Sequence, residues 1–221
     1  MALHPPGSLA DLPATVRLFP LEGAILLPRA IMPLNIFEPR YLAMVTDAMA
    51  SDQMLAMIQP RLPSDTGGAE DRPPLYGVGS IGRITQYSET GDGRFLITLT
   101  GLARFRLVNE LAAPTAYRQA QADYAPFSAD WSPAQPLAAA SRADLEFALK
   151  AYLETQDLSA DWEAVRSADD ESLVNTLAAV CPFTPAERQA LLEAPTLAQR
   201  TSTLTTLMRF ANGENGEHML Q

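Results

Sequence analysis

Period-two alternation of apolar and polar residues runs through the first half of the chain, and a helical period replaces it in the second. Val16–Phe19, Ala24–Leu27 and Ile31–Phe37 are short apolar runs punctuated by Pro20, Pro28 and Pro33. Each reads as a strand. Proline has no N–H for a ladder bond, so these strands must be short, bent or at an edge. Met54–Gln59 reads as another. Leu75–Tyr87 and Arg94–Val108 are longer runs joined by Ser88–Gly93, where Gly91 and Gly93 around Asp92 are expected to supply the positive φ of a hairpin loop. In the second run Phe95, Ile97 and Leu99 point one way, and Arg94, Leu96 and Thr98 the other. Tyr117–Tyr124 alternates similarly. This many short strands with mixed connections predict a small, partly closed β-barrel, which removes exposed edges.

One helix interrupts the strands: Pro39 suits a first turn, and Tyr41, Met44, Val45, Ala48 and Met49 recur at helical spacing. Pro63–Pro74, with Gly67 and Gly68, reads as an exposed loop. Leu137–Leu153 predicts a long helix with Glu146 and Lys150 as an i,i+4 pair. Leu173, Leu177 and Val180 mark a helix stopped by Pro182. Thr184-Pro185-Ala186-Glu187 is a capping box, and Thr196-Leu197-Ala198-Gln199 repeats its logic. Leu197, Leu204, Leu207, Met208 and Ala211 form an apolar face that is expected to stop near Asn212-Gly213. The fold class is therefore α+β. Its parts are a flexible N-terminus over 1–15, a β-rich subdomain over 16–124, a joint over 125–136, a helical bundle over 137–212 and a disordered tail over 213–221.

Composition narrows the function classes. Apolar residues make up 47% of the 221 positions and charged residues 19%, enough apolar material for a packed core. The single cysteine, Cys181, excludes an intrachain disulfide framework and suits a reducing compartment. The first twenty residues show neither a basic region nor a long apolar run, and no stretch approaches the roughly 20 apolar residues of a membrane helix. A cytoplasmic location is expected. The formal charge is −10. Residues 1–124 hold 10 basic and 12 acidic side chains, and residues 125–221 hold 6 and 14. Such a balance repels nucleic acid and anionic lipid at long range, so neither is an expected partner. Arg72 to Arg118 runs against the trend, with six arginines and three acids.

No catalytic, cofactor-binding or metal-binding residue emerges. The histidines, His4 and His218, lie near the termini, whereas a nucleophile needs a fixed imidazole beside it. Cys181 reads as a small buried apolar residue. Gly77-Val78-Gly79-Ser80-Ile81-Gly82 matches a dinucleotide fingerprint by letter, but Arg83–Tyr87 continue as a strand. The pyrophosphate would need a helix N-terminus there. The glycines read instead as close backbone approach within a strand. Lys150 lacks the flanking glycines of a phosphate loop. Asp169, Asp170 and Glu171 precede a helix and read as caps.

Two runs carry a resemblance. They are Leu18-Phe19-Pro20-Leu21-Glu22-Gly23-Ala24-Ile25-Leu26-Leu27-Pro28 and Met32-Pro33-Leu34-Asn35-Ile36-Phe37-Glu38-Pro39-Arg40-Tyr41. Together they closely resemble the start of the Lon amino-terminal (substrate-binding) domain family. Tyr76-Gly77-Val78-Gly79, Arg83-Ile84 and Gly101-Leu102-Ala103-Arg104-Phe105-Arg106 add to the match, which extends from about Val16 to about Arg209. The resemblance implies a PUA-like β-rich half followed by a helical bundle, and a non-catalytic role in contacting unfolded polypeptide or a partner protein in proteostasis. It implies no catalytic residue.

Leu27, Pro28, Pro33, Phe37, Glu38, Arg40 and Tyr41 are the candidate polypeptide-binding residues, because the proline-interrupted strands can leave an edge unpaired. Structural roles compete: Glu38 can cap the helix, Arg40 can pair with an acid, and Phe37 and Tyr41 can fill core. The alternative function is RNA or small-anion binding through Arg83, Arg94, Arg104 and Arg106. Arg104 and Arg106 share a strand face by their spacing. The competing reading is a solvated charged face.

Overall fold

A computed structural model describes residues 6–61, 72–133 and 136–218, the last five of these by backbone alone. It consists of two compact units, Met1–Ser132 and Pro133–Gln221.

The first unit is built on one six-stranded sheet: β1 (Thr15–Pro20), β2 (Ile31–Ile36), β3 (Met54–Ile58), β4 (Val78–Glu89), β5 (Phe95–Leu111) and β6 (Arg118–Asp123). Helix α1 (Pro39–Met49) lies between β2 and β3 in sequence. The strand order is β2-β5-β4-β3-β1-β6. β1 and β3 are parallel, a pairing that needs a crossover, and β2 with α1 provides it. The other pairings are antiparallel. β5 is long enough to serve two neighbours on one edge: Phe95 to Thr100 pair with β2, and Arg106 to Leu111 pair with β6. The sheet is thus partly ringed rather than closed as a barrel, and β2 stands outside the ring as a terminal strand.

Alternation explains why β3 is buried along its whole length. Leu55 and Met57 pack with Tyr41, Met44, Val45 and Ala48 of α1 and with Phe19, Ile97 and Leu99. Met54, Ala56 and Ile58 face a second core with Leu18, Ile81, Ala103 and Phe105. A strand covered on both faces reads as a continuous apolar run.

Ala24–Leu27 is not a strand. It is irregular, yet Ile25, Leu26 and Leu27 are buried. The segment crosses the sheet at its glycines. A Cβ on Gly101 would lie 2.1 Å from the Leu27 carbonyl oxygen, and one on Gly82 would lie 2.5 Å from Leu26 Cδ2. The Arg29 and Gly101 N–H groups then donate to Gly101 and Ala30 respectively, at 2.8 and 2.9 Å. An apolar run can be buried by backbone approach as well as by ladder pairing, and periodicity does not separate the two.

Other local expectations need adjusting. In the β4–β5 loop only Gly93 has positive φ (80°); Gly91 does not. Leu9–Asp11 form one 3-10 turn, and Leu12 is buried, so the segment before β1 is anchored. Residues 1–5 and 62–71 lie outside the described set, which removes most of the expected Pro63–Pro74 loop from view. Pro74 accepts a bond from the Arg61 N–H at 2.7 Å. Ala125–Trp131 form a 3-10 turn within the first unit.

The second unit holds α2 (Ala139–Thr155), α3 (Trp162–Ser167), α4 (Asp170–Val180), α5 (Pro185–Glu193) and α6 (Leu197–His218), with α2, α4 and α5 all packing on α6. The Thr184 capping box forms, with both reciprocal bonds in place. Glu146 pairs with Arg142 at 2.7 Å rather than with Lys150. Arg142 also reaches Asp170 and the Ala168 carbonyl, which Lys150, further along α2, does not. α6 continues through Asn212-Gly213, because Gly213 does not take the left-handed conformation of a helix stop. The tail expected to be disordered is therefore helical to His218, and 219–221 lie outside the described residues.

Candidate functional site

The strand pairings assemble an outer face on β2, β5 and β4 whose middle carries no charged side chain. Thr100 pairs with Ile31, Thr98 with Pro33 and Leu96 with Asn35. Across β5, Thr98 meets Gln86 and Leu96 meets Ser88. Paired residues share a face. Between Arg83, which pairs with Thr100, and Arg94 at the hairpin end, the residues left outside are therefore aliphatic, hydroxyl or amide, while Phe95, Ile97 and Leu99 fill the opposite side. Thr85 Oγ1 donates to the Thr98 carbonyl at 3.2 Å, and Thr98 Oγ1 donates to Gln86 Oε1 at 3.0 Å. These bonds fix the hydroxyls without adding charge.

A groove of about 570 Å³ runs over this face, lined by Pro33 to Asn35, Gln86 to Ser88 and Leu96 to Thr98. Large apolar side chains stand open around it: Ile31 is 71% exposed, Phe37 60% and Leu96 45%. Tyr87 packs on Phe95 with ring centroids 5.2 Å apart. At the hairpin end the Arg94 guanidinium sits 5.8 Å from the centre of the Phe37 ring. β2 is also the sheet's terminal strand. Pro33 is tolerated there because its missing N–H falls on the open side. The same proline breaks the row of donors that an added strand would use.

The seven candidate polypeptide-binding residues separate into two groups. Pro33 and Phe37 belong to the exposed face. Leu27, Pro28 and Tyr41 are buried. Tyr41 stacks on Phe19 at 4.4 Å, and burial raises its hydroxyl pKa. These three are framework. Glu38 occupies the N-cap position of α1 without a side-chain cap bond. Its carboxylate takes Arg40 instead, at 2.8 Å. Phe37 is not core. The residues that sequence reasoning missed on this face are Ile31 and Leu96. Their signal was an apolar residue on the polar side of an alternating strand, as Leu96 is between Arg94 and Thr98. Tyr87, which also borders the groove, pairs with Ile97 and packs on Phe95.

The four arginines do not converge. Arg104 is 2% exposed and holds Asp130 through two guanidinium nitrogens, at 2.7 and 2.8 Å. Arg106 lies 3.6 Å from Asp123, Arg94 pairs with Asp92, and Arg83 donates to Gln53. Arg104 and Arg106 do not share a solvated face. A 3-10 turn that alternation cannot foresee covers the first of them.

The remaining chemistry-bearing groups serve the fold. Gly79 and Gly82 lie in β4, where a Cβ on Gly79 would come 2.6 Å from the Met57 carbonyl oxygen. Asp169 caps α4 by accepting from the Ser172 N–H at 2.9 Å, and hydrogen bonding from the Ser172 side chain and then its backbone lowers its pKa. The Cys181 thiol is buried, which pushes its pKa up to about 11 against the opposing pull of Arg188. His4 lies outside the described residues, and His218 sits at the end of α6.

Comparison with known proteins agrees with this architecture. Over 125 residues the chain is 31% identical to Lon protease 2 of Myxococcus xanthus, and over 112 residues 29% identical to the Lon protease of Anaeromyxobacter dehalogenans. Those segments cover 55% and 50% of this chain but only 15% and 13% of the relatives, so the chain spans a small part of their length. The N-terminal domain of Lon protease from the Mycobacterium avium complex superposes with a TM-score of 0.61 at 22% identity, covering 88% of this chain and 98% of that one. A Lon N-terminal domain protein from Xanthomonas campestris superposes with a TM-score of 0.59 at 20% identity, covering 87% and 97%. Residues 15–209 match the model of the substrate-binding domain of the ATP-dependent protease La (LON), and the chain belongs to that family.

Proposed function

We propose that the chain is a non-catalytic module that binds extended, unfolded polypeptide, and that the outer face of β2, β5 and β4 is the surface that does so. One observation carries the reading: an uncharged groove bordered by exposed Ile31, Phe37 and Leu96 in a chain of net charge −10. An apolar patch rimmed by hydroxyl and amide groups suits side chains of varied sequence. Membership of a substrate-binding domain family supports the same direction. In a cell such a module would work beside a proteolytic system, in the cytoplasm, by holding segments for another component.

Fluorescence anisotropy with labelled, permanently unfolded casein tests this. Binding persists from low to moderate salt, because no ion pair contributes. Leu96→Glu or Phe37→Glu weakens it about tenfold or more, since each puts a charge into the apolar contact. Unaltered binding in both variants overturns the assignment of the surface, and no binding by the unmodified chain overturns the function.

A further inference from the structure

Arg40 and Tyr41 also open onto a second cavity, of about 120 Å³, lined by Pro20, Arg72, Tyr117 and Arg118 in addition. We propose that this cavity is a carboxylate pocket that takes the C-terminal carboxylate of a bound polypeptide, an inference that rests on the polypeptide-binding reading above.

A guanidinium without an ion pair is the first argument. Three guanidiniums line the cavity. Two of them carry acid partners: Arg40 meets Glu38 at 2.8 Å, and Arg118 Nε meets Glu110 at 2.8 Å. No acid lies within ion-pair distance of Arg72 among the described residues, and its charge reaches Glu110 only at longer range. The Tyr117 hydroxyl donates to Asp47 at 2.6 Å, so a ligand carboxylate must be held by direct contact with the Arg72 and Arg118 forks rather than by a net charge.

Donor capacity is the second. A guanidinium has about five N–H groups in a planar fork. Arg118 directs Nε and Nη2 to Glu110 and one Nη1 hydrogen to the Pro73 carbonyl, at 2.8 Å for Nη1, which leaves hydrogens on both terminal nitrogens. Its side chain is 11% exposed, so the fork is held in place before any ligand arrives. The Arg40 guanidinium lies over the Tyr41 ring, 4.5 Å from its centre, which orients it as well. Pre-placed arginine forks recognise carboxylates in bidentate geometry.

Size is the third. About 120 Å³ equals the share of roughly four waters. That accommodates a carboxylate with a small side chain on Pro20 and the tyrosine rings. An internal aspartate or glutamate offers the same oxyanion on a continuous backbone that must pass the rim in both directions. The experiment separates the two sources.

The test uses the full ¹⁵N-labelled chain and three short peptides without large apolar residues, so that the groove contributes nothing. They are acetyl-Gly-Ser-Gly-Ala as free acid, the same peptide as C-terminal amide, and acetyl-Gly-Glu-Gly-Ala amide. The free acid is expected to shift the amide resonances of Tyr41, Tyr117 and Arg118, and to bind at least tenfold more tightly than either amide. Arg72→Ala, an exposed change that spares the fold, is expected to weaken the free acid about threefold to fivefold. Equal binding of acid and amide, no effect of Arg72→Ala, or shifts confined to other residues overturns the pocket. Equal binding of the internal glutamate peptide overturns the C-terminal assignment. Retained casein binding alongside any of these negative results locates the failure in the pocket alone, while loss of casein binding as well places it in the polypeptide reading.

Discussion

Arg104 and Asp130 form a bidentate pair sealed from solvent, with side chains 2% and 7% exposed. Asp130 Oδ2 also accepts the Arg104 backbone N–H at 2.9 Å, and the Phe127 ring lies 4.7 Å from the guanidinium carbon. The pair fastens the Ala125–Trp131 turn onto β5. Removing one partner leaves a buried charge without compensation. Arg104→Met should therefore lower the stability of the first unit by about 3–5 kcal/mol. Adding Asp130→Leu should recover only part of this, because it also takes the Asp130 Oδ2 acceptor from the backbone N–H of position 104, and a buried donor that loses its acceptor costs about 1–3 kcal/mol. Urea unfolding followed by Trp131 fluorescence, in a Trp162→Phe background, measures both. A double variant as unstable as the single one would contradict the account.

Gly101 is required by close approach rather than by backbone conformation. Its absent Cβ would lie 2.1 Å from a carbonyl oxygen of Leu27, which cannot rotate away as a side chain can. Gly101→Ala should destabilise by at least the ~1–3 kcal/mol typical of overpacking. Gly91→Ala, with nothing within 4 Å of its Cβ, should change stability by less than about 0.5 kcal/mol. The same urea measurement compares the two.

The Cys181 thiol should be inert at neutral pH, since burial raises its pKa to about 11 from an ordinary 9.0. Reaction with a disulfide reagent should be slow in the native chain and fast in urea. The sign of the linkage follows. The folded state holds its proton more tightly, so this contribution is fully present below pH 9, falls as pH rises and is lost through about pH 11. Cys181→Ala should flatten that part of the stability–pH profile, and an unchanged slope would count against the assignment.

Neither ATP nor protein should be hydrolysed by the purified chain. ATP hydrolysis needs a phosphate cradle, a cation and a magnesium-holding carboxylate in one place. The glycines of the fingerprint-like run lie within or beside a strand, and Gly79 and Gly82 meet protein atoms there. Proteolysis needs an activated nucleophile or a metal-bound water. Cys181 is protonated, and Asp169 and Asp170 are engaged in capping and in the Arg142 pair. Casein turnover with and without ATP is the assay. Turnover that vanishes on changing one residue of this chain would refute the expectation.

Local pattern was enough to read the alternating strands, the α1 face of Tyr41, Met44, Val45 and Ala48, and the Thr184 capping box, because each depends on neighbours a few residues apart. The motif containing Pro33 to Tyr41 sufficed for the family. What the chain could not declare locally was which apolar runs pair and which cross. Ala24–Leu27 has the composition of a strand, yet it is buried by glycines about 55 and 75 residues further along. Nor could spacing reveal that Arg104 is sealed by Asp130, 26 residues away, while Arg106, two positions on, stays exposed. Whether Phe37 was core or surface likewise waited on the sheet. Alternation assigns a residue to a face, but burial depends on what the rest of the chain lays over that face, and that is a property of tertiary packing alone.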